Sequence, residues 1–299
     1  MSSLLRHLLL TGLSSVLLIS EGFADLRIAT YNLNNYLIMD RRVGERWQPA
    51  YPKPESEKII IRQIILEQSP DILALQEMGS PEFLNELRAD LAKQGLDYAH
   101  AVHLSGPDPA RHIALLSKVP PVEVVKHTDL DFKYFDQRER VKRGMLELVF
   151  EDARGDIFKL FIVHLKSKYT VLKEDAESQL RRNREARACR DRIIERSFEL
   201  GVDRFLVAGD FNDHPDSGPL RRFYHRGDMI LGDLLPASDS RGEVWTYFYA
   251  KRGQYSLVDG FVVSPAMGPG IKGGRGYIVD TSGALDGSDH RMVYLDLAE

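Results

Sequence analysis

The strongest constraint on the fold is a series of short apolar runs, typical of β-strands, that recur along the whole chain. The runs are Leu26–Tyr31, Ile72–Gln76, His112–Leu116, Met145–Phe150, Phe158–Val163, Phe205–Ala208, Val258–Val263 and Met292–Leu297. Segments with helical periodicity lie between some of them, at Ser56–Gln68, Pro81–Gln94 and Asp175–Leu200. A short polar turn through Gly155 separates two of the runs and predicts an antiparallel hairpin. Helix–strand alternation together with a hairpin favours a mixed α/β sheet over a regular parallel barrel.

Capping residues set the predicted helix ends. Ser56 is the predicted N-cap of the first helix, and Pro81 stands in the first turn of the second. Gly201 is expected to end the third helix. Neither an internal repeat nor a low-complexity linker interrupts the pattern, so we expect residues 25–299 to form one domain.

The first 24 residues predict a signal peptide rather than part of the fold. Arg6 and His7 form a short basic start, Leu8–Ile19 is apolar, and small residues precede a predicted cleavage site after Ala24. The apolar stretch is shorter than the roughly 20 residues that a membrane-spanning helix needs, which disfavours an uncleaved anchor. We therefore expect an exported protein, either periplasmic or secreted. Cys189 is the only cysteine, so the fold cannot contain an internal disulfide.

Composition excludes one broad class of protein and disfavours another. The hydrophobic content of 43% is that of a globular chain, not of a disordered one. The 40 basic residues are outnumbered by 44 acidic ones, which gives a net charge of -4. This balance disfavours a strongly cationic nucleic-acid binder but allows a local basic groove.

Polar residues follow or flank the apolar runs at several points along the chain. They are Asn32, Glu77, His164, Asp210, Asn212, Asp259, Asp289 and His290. Each one alone has an ordinary explanation as a turn, a helix cap or a solvated side chain. Together they predict a site, because ligands bind where the ends of strands converge.

Four segments among these residues resemble the signature segments of the endonuclease/exonuclease/phosphatase superfamily. They are Thr30–Asn34 (TYNLN), Leu75–Glu77 (LQE), Gly209–Asn212 (GDFN) and Ser288–His290 (SDH), and they occur in the order of that family. The resemblance covers nearly the whole mature chain. It implies a four-layer α/β sandwich of two packed mixed β-sheets flanked by helices, as in DNase I-like proteins. It also implies a metal-dependent hydrolase of phosphoric esters.

Hard oxygen donors without a cysteine favour Mg²⁺ or Mn²⁺ as the metal. The resemblance implies Glu77 as the main metal ligand, with Asn32 close by and Asp289 completing the shell. Such an ion would stabilise the charge that develops on the leaving oxygen.

The remaining residues of the set are interpreted as catalytic. Asp210 is the candidate that orients or deprotonates the attacking water, and Asn212 would hold water or phosphate. The resemblance implies that Asp259 orients His290, which would contact the phosphoryl oxygens. His164 lies where DNase I-like members carry a second catalytic histidine; the alternative is a strand-end histidine without a catalytic role.

Basic residues near these segments could neutralise the substrate phosphate. The candidates are Arg143, Lys166 and Lys168. The arginine-rich segment 181–192 is interpreted as an ion-paired helix face, with a nucleic-acid track as the alternative. The aromatic residues at 245–249 are expected to pack in the core, although they could stack on bases.

A nuclease is the leading prediction for the substrate class. A phosphatase or an enzyme like sphingomyelinase or phospholipase C is the second reading, and a catalytically inactive binding module is the third. We expect nucleic acid or another phosphoester as the only partner, and a monomer.

Overall fold

The computed structural model describes residues 25–152, 154–198 and 201–298. The predicted signal peptide lies outside these residues. The four α-helices of this part are α1 (Glu55–Gln68), α2 (Pro81–Ala92), α3 (Gln179–Phe198) and α4 (Gly218–Tyr224). The longer strands are β1 (Leu26–Tyr36), β2 (Met39–Val43), β3 (Arg46–Tyr51), β4 (Ile72–Met78), β5 (His100–Leu104), β6 (His112–Ser117), β7 (Glu123–His127), β8 (Asp131–Tyr134), β9 (Gln137–Arg140), β10 (Met145–Glu151), β11 (Ile157–His164), β12 (Phe205–Asp210), β19 (Asp259–Val263) and β21 (Val293–Leu297). The short strands are β13 (His225–Arg226), β14 (Met229–Ile230), β15 (Asp233–Leu234), β16 (Ala237–Ser238), β17 (Tyr247–Tyr249), β18 (Gln254–Ser256) and β20 (Gly276–Ile278).

Two large mixed sheets form the centre of the fold. The first sheet has the strand order β16-β20-β21-β1-β4-β6-β5, and the second has the order β15-β19-β12-β11-β10-β7. Within each sheet one long pair is parallel, β1 with β4 and β11 with β12. The mixed sheets predicted from the sequence are therefore confirmed.

Side-chain alternation divides each strand between two hydrophobic cores. In β1 and β11, Ile28, Leu160 and Ile162 join the core between the two sheets. On the far face of the first sheet, Ala29 and Tyr31 pack against α1 and α2. On the far face of the second sheet, side chains of β11 and β12 pack against α3 and α4. The order helix, sheet, sheet, helix is the predicted four-layer sandwich.

Several local predictions can be compared with the structure. The hairpin between β10 and β11 is confirmed, and its turn contains Gly155 with a φ of +81°. The prediction that Ser56 caps the first helix is wrong, because α1 begins at Glu55 after Pro54, without a side-chain cap. The third helix begins later than predicted: Asp175 precedes a short 3₁₀ turn, and its carboxylate accepts hydrogen bonds from the N–H groups of Leu180 and Arg181.

Ion pairs cover the arginine-rich helix α3, as the preferred interpretation of the sequence predicted. Arg182 pairs with Asp213 at 2.9 Å, and Arg192 pairs with Glu195 at 3.0 Å. None of the helices in the described part of the chain is long and apolar enough to cross a membrane.

Candidate active site

Three predicted site residues lie side by side at one end of the second sheet. His164 ends β11 and is the register partner of Asp210 at the end of the parallel strand β12. Asp210 is in turn the register partner of Asp259, the first residue of the antiparallel strand β19. Because residues paired in this way share a face, all three side chains point in the same direction. That direction is inward, since Ile162 and Ala208, two positions earlier in their strands, belong to the core between the sheets.

Glu77 reaches the same space from the first sheet through an interruption of β4. Regular alternation would place its side chain with Leu73 and Leu75 on the far face, towards the helices. Instead the backbone at Glu77 is left-handed, with a φ of +59°, and the pairing of β4 is irregular between Leu75 and Met78. Bulges of this kind redirect a side chain. As a result, Glu77 Oε1 lies 3.9 Å from His164 Nε2 in the opposite sheet.

Gly209 allows β11 and β12 to come close enough to align His164 with Asp210. Its φ is +141°, and a Cβ atom there would lie 1.9 Å from the carbonyl oxygen of Val163. Only glycine fits such a position without moving one of the two strands. This is the physical reason for the glycine that precedes Asp210.

Amide groups hold the Asp210 carboxylate. Asn32, the last residue of β1 before its pairing with β4 becomes irregular, donates from its side chain to Asp210 Oδ2 at 3.0 Å. Asn212 donates to the same oxygen at 3.0 Å from its side chain, and to Oδ1 at 2.8 Å from its backbone N–H. Asn212 has a left-handed φ of +54°, which asparagine tolerates better than most residues. These bonds connect the two sheets through one carboxylate.

His290 is held against Asp259, as the family resemblance implies. Its Nδ1 lies 2.8 Å from Asp259 Oδ2, and both side chains are buried. The Ser288 hydroxyl accepts a hydrogen bond from the N–H of His290 and donates to the carbonyl oxygen of Asn32 at 2.7 Å. The SDH segment is thus fixed to β1 at Asn32, and no hydrogen bond to His290 Nε2 is formed by residues 25–152, 154–198 or 201–298.

Residues to which the sequence analysis gave no role beside His290 support this histidine. The Thr246 hydroxyl accepts hydrogen bonds from the N–H groups of Val258 and Asp259 at 3.0 Å. The ring of Tyr247 lies 4.7 Å from that of His290, centre to centre. Arg291 donates to Asp239 at 2.8 Å and lies over the ring of Trp245. The prediction that the aromatic segment packs in the core is wrong: its rings are half-buried, and Tyr247–Tyr249 forms a separate two-stranded ribbon with β18 beside His290.

Burial and mutual charge set the protonation states. Burial, together with the charge of Asp259, raises the pKa of Asp210 to about 7. Burial alone would lower the pKa of His290, but the carboxylate of Asp259 outweighs it, and this pKa rises to about 10. Burial and the charge of Arg143 hold the pKa of His164 well below its usual value. His164, Asp210, Asp259 and His290, with Glu77 and Asn32, form the cluster. At neutral pH its His290 is charged, its His164 is neutral, and the ambient pH is close to the pKa of Asp210.

The three residues predicted to bind phosphate differ in their burial and in their contacts. Arg143 is buried, and its Nε lies 3.2 Å from Asp108. Lys166 Nζ donates to the carbonyl oxygen of Ser167 at 2.9 Å, so it is turned onto its own loop. Lys168 is exposed. Arg111, which the sequence did not single out, is a cation beside the cluster, with its Nε 3.9 Å from Glu77 Oε1.

The oxygen donors of this cluster fit a hard divalent cation. The N–H of Asn35 donates to Glu77 Oε2 at 2.8 Å, whereas no described residue donates a hydrogen bond to Oε1. Asp289 is partly exposed beside His290, with Oδ1 4.0 Å from its Nε2. Ligand atoms of Asp210, Asp259 and His290 also lie within 4.8 Å of one another. The Asp259 carboxylate is already hydrogen-bonded to His290. Glu77 and Asn32 are therefore better suited than Asp259 to bind a metal ion.

Comparison with known proteins decides the family. The sequence pattern of the Endonuclease/Exonuclease/phosphatase family matches residues 29–290 of this chain. The chain belongs to this family. Its members are phosphoesterases, including nucleases, phosphatases and enzymes like sphingomyelinase, and they bind divalent metals. No curated protein sequence matches the chain significantly.

Solved structures of the endonuclease/exonuclease/phosphatase fold are similar over nearly the whole chain. A family protein from Bacteroides vulgatus has a TM-score of 0.63 at 18% identity, covering 93% of this chain and 100% of its own. Sphingomyelinase C from Streptomyces griseocarneus has a TM-score of 0.62 at 18% identity, covering 92% and 100%. A beta-toxin variant from Staphylococcus aureus with bound magnesium ions has a TM-score of 0.61 at 14% identity, covering 92% and 100%. At these identities the likeness establishes the fold.

Proposed function

We propose that this member of the endonuclease/exonuclease/phosphatase family is an exported, Mg²⁺- or Mn²⁺-dependent phosphodiesterase that hydrolyses nucleic acid. The observation that carries the proposal is the row His164–Asp210–Asp259 facing Glu77 across the gap between the sheets. A catalytically inactive binding module with this fold would not require these groups to lie together. The signal-peptide pattern of residues 1–24 supports export.

Asp210 is the group that accepts a proton from the attacking water. A general base works best when its pKa is close to the ambient pH, and burial brings the pKa of Asp210 to about 7. The amides of Asn32 and Asn212 fix the direction of the carboxylate. An oriented water can then attack phosphorus in line, without a covalent enzyme intermediate.

His290 supplies positive charge to the phosphoryl group. Asp259 accepts a hydrogen bond from its Nδ1–H, and the Nε2–H of the imidazolium can donate to a phosphoryl oxygen. A donor fixed in place before the reaction stabilises charge in the transition state without having to reorganise. His164 stays neutral at neutral pH and can bond to water or to phosphate.

Glu77 and Asn32, with Asp289, are the residues that would hold the metal. When bound, a divalent ion neutralises phosphate charge and stabilises the leaving oxygen. Arg111 lies next to Glu77 and would add a second positive charge for a phosphate oxygen.

The test is a substrate panel with the purified chain and Mg²⁺. Nicking of plasmid DNA or cleavage of RNA that stops with EDTA supports the proposal. Turnover of phosphomonoesters or sphingomyelin without any cleavage of nucleic acid would replace it with the second reading. Inertness with every divalent metal would favour a binding module. Asp210→Asn is the control, because a contaminating nuclease would survive this substitution.

A further inference from the structure

An exposed two-stranded ribbon follows the first site segment. The hairpin arm, β2–β3 (Met39–Tyr51), belongs to neither large sheet. Trp47 is 66% exposed and is the cross-strand partner of Arg42, so the indole and the guanidinium share one face of the ribbon. Neither Arg42 nor its neighbour Arg46 is paired with a carboxylate among the described residues. A large aromatic ring thus stands in water beside free positive charge.

The hairpin arm is anchored to the active site. Arg41 donates to the carbonyl oxygens of Leu37 at 2.9 Å and Asn35 at 3.1 Å. The N–H of Asn35 donates in turn to Glu77 Oε2. Its base is therefore two hydrogen bonds away from the proposed metal ligand, and its position relative to the site is fixed.

A second exposed segment leaves the site from the opposite sheet. The loop arm, residues 166–173, begins two residues after His164. Tyr169 is 77% exposed, and Lys168 and Lys173 are exposed with no carboxylate partner among the described residues. The Ser178 hydroxyl donates to the carbonyl oxygen of Tyr169 at 3.2 Å and holds the loop. Each sheet therefore sends out one arm that combines an exposed ring with free cations.

We propose that the hairpin arm and the loop arm bind the nucleotides that flank the scissile phosphodiester. Trp47 and Tyr169 stack on bases, while Arg42 and Lys168 pair with phosphates. This inference rests on the proposed nuclease function and names how its substrate is held. Stacking platforms beside a positive groove are a general means of binding single strands without reading their sequence.

The charges favour a nucleic-acid strand over a lipid surface. Glu45 occupies the tip of the hairpin arm, next to Arg46, and a charged tip is costly to place among acyl chains. Val171 in the loop arm is 87% exposed, which makes vesicle binding the necessary counter-test. Helix α3 is a poorer track for phosphates, because ion pairs already occupy several of its arginines, among them Arg182 and Arg192.

The experiment measures binding separately from cleavage. All variants are made in an Asp210→Asn background with Mg²⁺, and affinity for a labelled single strand of roughly 20 nucleotides is measured by fluorescence anisotropy. Trp47→Ala and Tyr169→Ala should each weaken binding about tenfold. Arg42→Ala should reduce the slope of log affinity against log salt by about 0.7. Ile230→Ala, which removes an equally exposed side chain (65%) from the β13–β14 ribbon, is the matched control and should bind like the parent.

Each outcome decides the inference. The inference is overturned if the Asp210→Asn protein does not bind the oligonucleotide. It is also overturned if the variants of the two arms bind the oligonucleotide as tightly as Ile230→Ala does. Binding to phosphatidylcholine–phosphatidylglycerol vesicles that depends on Trp47 and Tyr169, without such dependence for the oligonucleotide, would overturn it in favour of a lipid surface. If the arms bind the strand but the protein with Asp210 intact does not cleave it, the arm inference stands and the nuclease function fails. Unfolding transitions of each variant verify that the fold is intact.

Discussion

A buried carboxylate beneath α3 gives the most direct test of the packing in this fold. Glu147 lies in β10 with its side chain fully buried. It is 2.8 Å from His127, 3.0 Å from Lys159 and 2.8 Å from Arg196. These contacts join β7, β10, β11 and α3. Because α3 also carries the Glu185 carboxylate that accepts the backbone N–H of Lys166, the network supports the loop beside the site.

The structure gives the size of the effect expected from Glu147→Gln. Burial opposes the charge, but hydrogen bonds from His127, Arg196 and Lys159 lower the pKa of Glu147 from 4.5 to about 2. A displacement of this size corresponds to about 3 kcal/mol of stability at neutral pH. The substitution also leaves the buried ammonium of Lys159 without its carboxylate, and breaking a buried pair costs about 3–5 kcal/mol. We therefore expect a loss of about 3–5 kcal/mol in the free energy of unfolding.

The sign of the pH dependence follows from the lowered pKa. Since Glu147 binds a proton more readily in the unfolded chain, its contribution is fully present above its usual pKa and is lost as the pH falls from 4.5 towards 2. Urea-induced unfolding should be measured for wild type and variant near pH 7 and near pH 3. The difference between their free energies of unfolding should be roughly halved at the lower pH. Other acidic groups are common to both proteins and cancel in the comparison.

The control for Glu147→Gln is the same change at an exposed carboxylate. Glu55 is 60% exposed, and its partner Arg62 also pairs with Asp90 at 3.3 Å, so Glu55→Gln should cost less than about 1 kcal/mol. The reasoning is refuted if Glu147→Gln is no more destabilising than Glu55→Gln. It is also refuted if the difference in the free energy of unfolding between wild type and Glu147→Gln does not change with pH.

Three further predictions concern the active site. Glu77→Gln should raise the Mg²⁺ concentration needed for half-maximal hydrolysis of bis-p-nitrophenyl phosphate by at least about tenfold, and an unchanged titration would remove Glu77 from the metal shell. Asp259→Asn should lower turnover less than His290→Ala, which should cost roughly 10²-fold. The two losses should not add in the double variant, whereas additive losses would show that the residues act independently. Gly209→Ala should lower the free energy of unfolding by about 3 kcal/mol or more, because its Cβ would overlap the carbonyl oxygen of Val163; a wild-type melting temperature would contradict this contact.

Local patterns carried much of the architecture. Apolar runs predicted the main strands, because burial on both sheet faces requires them, and the turn through Gly155 predicted the β10–β11 hairpin. Polar residues after these runs predicted the members of the cluster, since a residue that ends a buried strand lies at the rim of its sheet. The short edge strands and ribbons carry too few apolar side chains to be recognised in the same way.

The N-cap of α1 shows where such local reasoning fails. Serine is a good capping residue, but the helix begins before Ser56, at Glu55. The N–H groups of Glu57 and Lys58 donate to the carbonyl oxygen of Pro54 at 3.0 Å, so backbone hydrogen bonds start this helix without a side-chain cap.

The sequence alone was enough to predict the positions of the main strands along the chain, the residue types of the site and the family. The direction of Glu77 was decided only by the tertiary structure, because a bulge in β4 overrides the alternation that the sequence predicts. The neutral state of His164 likewise depends on burial and on Arg143, which is distant in sequence. A chain records which groups are present, whereas distances between groups on different sheets, and the charges that result, exist only once the two sheets have packed.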